Sequence, residues 1–95
     1  MVNYRLSPDA EDDLYRIWLY GARKFGVAQA DKYYQAFFHQ FEAIAKDPFL
    51  YPSVDHIRKG YRRGVSGVDS IYYRINDDVM EIMAIIGRQD VYTKL

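Results

Sequence analysis

Apolar residues recur along this chain in two rhythms, and the changes of rhythm mark its elements. Val2 to Leu6 alternates with polar positions and predicts a short strand. From Ala10 the spacing turns helical, with Ala10, Leu14, Ile17, Trp18, Gly21 and Phe25 on one stripe. Ser7 and Pro8 suit the N-cap and the first helical position, Arg23 and Lys24 the last turn, and Gly26 the C-cap. A second stripe, Ala30, Tyr34, Phe37, Phe38, Phe41, Ile44 and Ala45, predicts a helix from Val27 to Lys46 that Asp47-Pro48 ends. That stripe is wide enough to pack on two things at once. With so little chain between them, the two helices must form an antiparallel hairpin. Trp18 and Phe41, one from each helix, are expected to be buried, facing each other and a sheet.

A rigid apolar connector, Pro48 to Pro52, and the segment Ser53 to Lys59 lead into a half with strand periodicity. Tyr61 to Val65, Val68 to Ile75 and Val79 to Ile86 are rich in Val, Ile and Tyr, residues that fill a pleated surface. Ser66-Gly67 and Asn76-Asp77-Asp78 separate them as turns, and Gly87 ends the last strand. In the middle segment Ile71, Tyr73 and Ile75 share one face, with Tyr72 and Arg74 on the other. In the last segment Met83 to Ile86 is apolar at every position, which suits a strand covered on both faces and inside the sheet. The expected fold is α+β, in the order β-α-α-β-β-β, a helical hairpin packed on a small, mainly antiparallel sheet.

Composition narrows the function classes. Ninety-five residues suit one domain spanning 1–95. Thirteen basic and thirteen acidic side chains cancel, so bulk charge announces neither a nucleic acid nor a membrane. Without cysteine there is no disulfide frame, thiolate nucleophile or zinc knuckle. The opening MVNYRLSPDA lacks the apolar run of a secretory signal, and no segment approaches membrane-spanning length, so a soluble cytoplasmic protein is expected. Tyrosine occurs ten times and suits a binding surface as well as a core.

Few residue groups point to chemistry. Asp9, Glu11, Asp12 and Asp13 crowd the start of the first helix, where the helix dipole favours carboxylates whatever the function. His39 and His56 have no second histidine at a ligand spacing, so neither a metal nor a cofactor is expected. Between His56 and Asn76 the chain carries five basic residues, Arg58, Lys59, Arg62, Arg63 and Arg74, against the single acid Asp69. Interleaved with Tyr61, Tyr72 and Tyr73, this rim reads either as charged strand edge that discourages aggregation or as a recognition surface. Arg62 and Arg63 must point to opposite faces.

Three stretches together resemble ParE toxins of the RelE/ParE superfamily. They are Ser7 to Trp18 (S-P-D-A-E-x-D-L-x-x-I-W), Gly60 to Ile75 (G-Y-R-R…S-G…I-Y-Y-R-I) and Ile85 to Asp90 (I-I-G-R-Q-D). The resemblance implies the toxin of a type II toxin–antitoxin pair, masked by a ParD-like antitoxin in a hetero-oligomeric complex. Its implied target is DNA gyrase, trapped while it holds cleaved DNA, with DNA contacted only through gyrase. Such a toxin needs no catalytic residues. The polar exit of the last strand, Arg88, Gln89 and Asp90, is the expected gyrase contact, joined by Arg62, Arg63 and Arg74. An apolar groove along the hairpin, lined by Leu14, Trp18, Tyr34 and Phe38, is expected to take the antitoxin.

Two other readings stay open. A ribosome-dependent messenger-RNA endonuclease of the RelE kind would need a general base, a general acid and a cation. Cations are present, but Gly87 stands where some relatives carry histidine, and Glu81 and Asp90 are not an obvious pair; Tyr92 or Lys94 could serve. A protein-binding module without toxicity would fit the tyrosine-rich surface.

Overall fold

The computed structural model describes residues 3–87; the expected gyrase contacts Arg88, Gln89 and Asp90 lie outside them. Strand β1 (Asn3–Leu6) leads into helix α1 (Pro8–Phe25), helix α2 (Val27–Lys46), and strands β2 (Arg62–Ser66), β3 (Asp69–Asn76) and β4 (Val79–Gly87). The sheet order is β1-β4-β3-β2, with β1 parallel to β4 and the other pairs antiparallel. β4 therefore has a neighbour on each side, and Ile82, Ala84, Ile85 and Ile86 are buried on it.

Local chemistry sets the joints. The Ser7 hydroxyl accepts from the Ala10 amide at 3.0 Å and donates to the Met83 carbonyl at 3.1 Å, so one side chain caps α1 and ties it to β4. Gly26, at φ 95°, is the single residue between the helices. The helices come together where side chains are small: a Cβ on Gly21 would lie 3.6 Å from the Ala30 Cβ. Gly67, at φ 59°, turns β2 into β3, and a Cβ there would lie 2.5 Å from the Tyr33 ring.

The hairpin covers one sheet face. Phe37, Phe41 and Ile44 from α2 meet Ile71, Tyr73, Met80 and Ile82, all fully buried. Gly64 of β2 sits directly beneath Ile44, whose Cδ1 lies 2.5 Å from where a Cβ would be. A smaller core lies on the opposite face, where Val54 and Tyr61, between the connector and β2, cover Tyr72, Ala84 and Ile86. The two cores draw on opposite faces of β4, and a register shift changes which residues face the hairpin, from Met80 and Ile82 before it to Ile85 after it. Tyr72 pairs with Ala84 but Tyr73 with Ile82, leaving Met83 unpaired as a bulge.

Several expectations are corrected. Tyr61 precedes its strand instead of opening it, because its amide donates to the Arg58 carbonyl and its carbonyl accepts from the Val54 amide, within the preceding loop. Ser66 belongs to β2 and Val68, 87% exposed, to the turn, so the β2–β3 turn is Gly67-Val68. Trp18 is half-buried, not part of the core beside Phe41, and Phe25 is 64% exposed. The cause is geometric: Ala10 and Leu14 at the start of α1 join the core over the sheet, whereas further along Gly21 rests on Ala30 of α2. Among the described residues, no helix is long and apolar enough to cross a membrane.

Candidate functional site

Two grooves flank a ridge along the hairpin. The larger, about 1050 Å³, lies between the hairpin and the β2–β3 end of the sheet, and Ile17, Gly21, Tyr33, Phe37, Val68 and Ile85 contribute to it. The smaller, about 650 Å³, is lined by Leu6, Leu14, Tyr15, Trp18, Tyr34 and Phe38 among others. Leu14, Trp18 and Tyr34 border both. The four residues expected to line a hairpin groove, Leu14, Trp18, Tyr34 and Phe38, thus come together in the smaller one.

Their burial differs. Leu14 is 4% exposed and forms the floor, whereas Trp18, Tyr34 and Phe38 are half-buried. The indole Nε1 of Trp18 donates to Asp31 Oδ1 at 2.9 Å, which holds the ring across the hairpin. Tyr34 packs on Phe38 with ring centroids 5.0 Å apart, and Phe38 meets buried Phe41 edge-on at 5.4 Å. An apolar ligand in this groove would rest on rings braced by the core.

The larger groove is closed at one end by Tyr33. Its hydroxyl donates within reach of Asp69 Oδ2 at 2.8 Å and the Ser66 carbonyl at 3.1 Å, and accepts from the Val68 amide at 3.1 Å. Burial, and then the bond to Asp69, push the phenol up to about 12. Burial also pushes Tyr73 up to about 12; its hydroxyl donates to the Pro48 carbonyl at 2.6 Å. Neither phenol ionises near neutrality, so neither is poised for proton transfer there. A raised folded-state pKa favours the native state below the ordinary tyrosine value and loses that advantage as pH climbs toward 12. Alkaline titration followed by circular dichroism should therefore show stability falling between pH 10 and 12, less steeply in Tyr33→Phe. An unchanged slope in that variant would remove Tyr33 from the account.

The basic rim is not one surface. Arg62 donates to the Tyr51 carbonyl at 2.6 Å and the Phe49 carbonyl at 3.3 Å, and lies 5.3 Å over the Phe49 ring, so it anchors the connector. Arg63 is exposed and faces the opposite way, across from Tyr72. Arg74 donates through Nε to Glu81 Oε1 at 2.7 Å. Arg5 bonds the other oxygen of the same carboxylate. The bonds from Arg5 and then Arg74 hold the Glu81 carboxyl below its usual range. Glu81 is thus a fixed anion at neutral pH, unsuited to donate a proton and weakly basic between two guanidiniums. His39 and His56 are exposed, and among the described residues no cluster of His, Cys, Asp or Glu could hold a metal ion.

Sequence reasoning missed the parts played by Asp13, Tyr33, Arg5 and Glu81. Asp13 is buried, bonds the Ile85 amide through Oδ2 at 3.0 Å and pairs with Arg16 through Oδ1. Its spacing from Arg16 was a visible pairing signal; its bond to a strand was not.

Residues 4–92 match the family model described as "ParE toxin of type II toxin-antitoxin system, parDE". The chain is 39% identical over 75 residues to Toxin ParE1 of Caulobacter vibrioides, covering 79% of this chain and 78% of that one. It is 33% identical over 75 residues to Toxin ParE1 of Mycobacterium tuberculosis H37Rv, covering 79% and 76%. A solved structure described as "Chromosomal ParDE TA system from P. aeruginosa" superposes with a TM-score of 0.80 at 20% identity, over 92% of this chain and 96% of that one. That last likeness is one of fold.

Proposed function

The chain belongs to the ParE toxin family of type II toxin–antitoxin systems, and on that footing we propose that it inhibits DNA gyrase by stabilising the cleaved-DNA complex and is neutralised by a ParD-like antitoxin. The observation that carries the antitoxin half is the smaller groove, where half-buried Trp18, Tyr34 and Phe38 stand over Leu14. Aromatic side chains at the rim of an apolar groove offer large contact area at low entropic cost, the setting an amphipathic helix or an extended segment exploits. Toxin and antitoxin then form a cytoplasmic hetero-oligomeric complex.

The gyrase half rests on family membership and needs no catalysis from this chain. A poison of this kind must bind gyrase with cleaved DNA more tightly than the resealed state, since only differential affinity shifts the equilibrium. Arg88, Gln89 and Asp90, which follow the last strand in sequence, supply the contact, with exposed Arg63 as a secondary one. Arg62 contributes less, because its guanidinium already serves the Phe49 and Tyr51 carbonyls, whereas Arg74 is held by Glu81 through Nε alone.

A matched pair of variants tests both halves. Arg88→Ala should lose much of its ability to trap cleaved DNA in a gyrase supercoiling assay while binding antitoxin normally. Trp18→Ala should bind antitoxin about 30-fold or more weakly, the size of an interface hot spot of about 2 kcal/mol, and still poison gyrase. Full toxicity of Arg88→Ala and of a truncation after Gly87 would move the gyrase contact elsewhere. Codon-specific messenger-RNA cleavage on translating ribosomes, lost in Tyr92→Phe, would replace the gyrase reading with the nuclease one.

A further inference from the structure

The sheet face turned away from the hairpin carries a line of cations that neither groove uses. Arg5 on β1 and Arg74 on β3 stand in register on either side of Glu81 on β4. Arg5 donates to Oε2 through Nε, at 2.9 Å, and through Nη2; Arg74 donates to Oε1 through Nε at 2.7 Å. One carboxylate thus locks two guanidiniums side by side and leaves the trio with surplus positive charge. On the same face, exposed Arg63 on β2 stands opposite Tyr72, and the Arg58 guanidinium lies 5.6 Å over the Tyr61 ring. Asp55 binds the Gly60 amide, and Asp77 and Asp78 sit in the β3–β4 turn, so among the described residues Glu81 is the acid within the line itself.

We propose that this outer face binds the phosphodiester backbone of duplex DNA, with Arg5 and Arg74 as the central contacts and Arg63 as an outlying one. A guanidinium offers five N–H donors. Arg5 spends two on Glu81 and Arg74 one, and the rest have no acceptor among the described residues. These side chains are 60% and 46% exposed, so their spare donors point to solvent already oriented. Preorganised forks of this kind suit phosphate oxygens better than mobile lysines do. From β1 to β2 the line crosses three inter-strand spacings, about 14 Å in all, too long for a lone phosphate and suited to a polyanion. Guanidiniums held against the sheet by Glu81 suit backbone phosphates and not base edges, so the binding should be independent of sequence. With zero net charge on the whole chain, it is local and sensitive to salt.

In the cell this contact would hold DNA within the gyrase complex; that setting rests on the reading above, whereas the binding does not. The test uses purified toxin and a short fluorescent DNA duplex, with anisotropy read at several salt concentrations and no gyrase present. The affinity should fall with salt at a log–log slope of about −2 to −3, as for three neutralised phosphates. The triple variant Arg5→Gln, Glu81→Gln, Arg74→Gln keeps amides that can bond one another and should weaken binding about tenfold with a shallower slope. Arg63→Gln, which removes an exposed side chain and leaves folding untouched, should weaken it about threefold. Arg23→Gln at the hairpin tip should change nothing. No salt-dependent binding to duplex, equal affinity in Arg63→Gln and the parent, or preference for single-stranded RNA overturns the proposal. A toxin that traps cleaved DNA with gyrase yet never binds duplex alone sinks this inference and spares the gyrase reading. One that binds duplex but leaves gyrase active does the reverse.

Discussion

Replacing Phe41 by alanine should lower the unfolding free energy by about 3–5 kcal/mol, whereas Trp18→Ala should cost about 1 kcal/mol. Phe41 is fully buried, and its ring contacts Tyr4 at 5.5 Å, Phe37 at 6.2 Å and Phe38 at 5.4 Å. Removing it opens a cavity where helix and sheet meet, and neighbours so tightly held cannot collapse into the space. Trp18 is half-buried at the rim of both grooves, and water fills the space its ring leaves. Its truncation loses part of an apolar contact and the exposed bond to Asp31. Urea melts of the two variants check the contrast. Equal losses would mean that the ridge belongs to the core, and a loss under about 1 kcal/mol for Phe41→Ala would overturn the packing described here. The contrast also protects the antitoxin test, because Trp18→Ala stays folded and can be read for binding alone.

Asp13→Ala should destabilise the fold by about 3 kcal/mol, a large effect for an acid that looks like ordinary helix-start decoration. β1 stops at Leu6, opposite Ile82, but β4 runs on to Gly87 with that edge uncovered. The start of α1 takes over. The Ser7 amide donates to the Ile82 carbonyl at 2.9 Å, the Ser7 hydroxyl to Met83, and Asp13 accepts the Ile85 amide. The last of these bonds is buried and charge-assisted, worth about 1.5–3 kcal/mol, and its loss leaves a buried N–H without a partner. Arg16 loses its ion pair at the same time. Asp13→Asn retains an acceptor and should cost about half as much. Amide hydrogen exchange supplies a local reading: the Ile85 amide should exchange far faster in Asp13→Ala than in the parent, ahead of Ile71 or Tyr73. Uniform exchange rates in the two proteins would assign Asp13 to the helix dipole after all.

Much of the candidate site was legible because helix periodicity is rigid. Leu14 and Trp18, like Tyr34 and Phe38, are four residues apart, so each pair lies on one stripe. The hairpin then sets the two stripes beside each other. Depth was not legible, since a stripe does not say which of its residues has a sheet beneath it. The basic rim misled for a related reason. Its five residues are close in sequence, yet alternation sent Arg62 to the connector and Arg63 and Arg74 to the outer face. Arg5 and Glu81, the other members of the outer line, come from strands at opposite ends of the chain.

The sequence by itself determined the element order, the hairpin and the interior place of β4. These follow from local causes: a cap at Ser7, one glycine between two helices, and an apolar run that only a doubly covered strand can hide. Family membership is written there too, in stretches spread along residues 4–92. Tertiary structure alone decided what each polar group does. Whether Asp13 caps a helix or a strand, whether Glu81 is free or clamped, and whether Trp18 is core or rim depend on partners far along the chain. Periodicity records how a residue faces its own element. It holds no record of what the fold brings to meet that face.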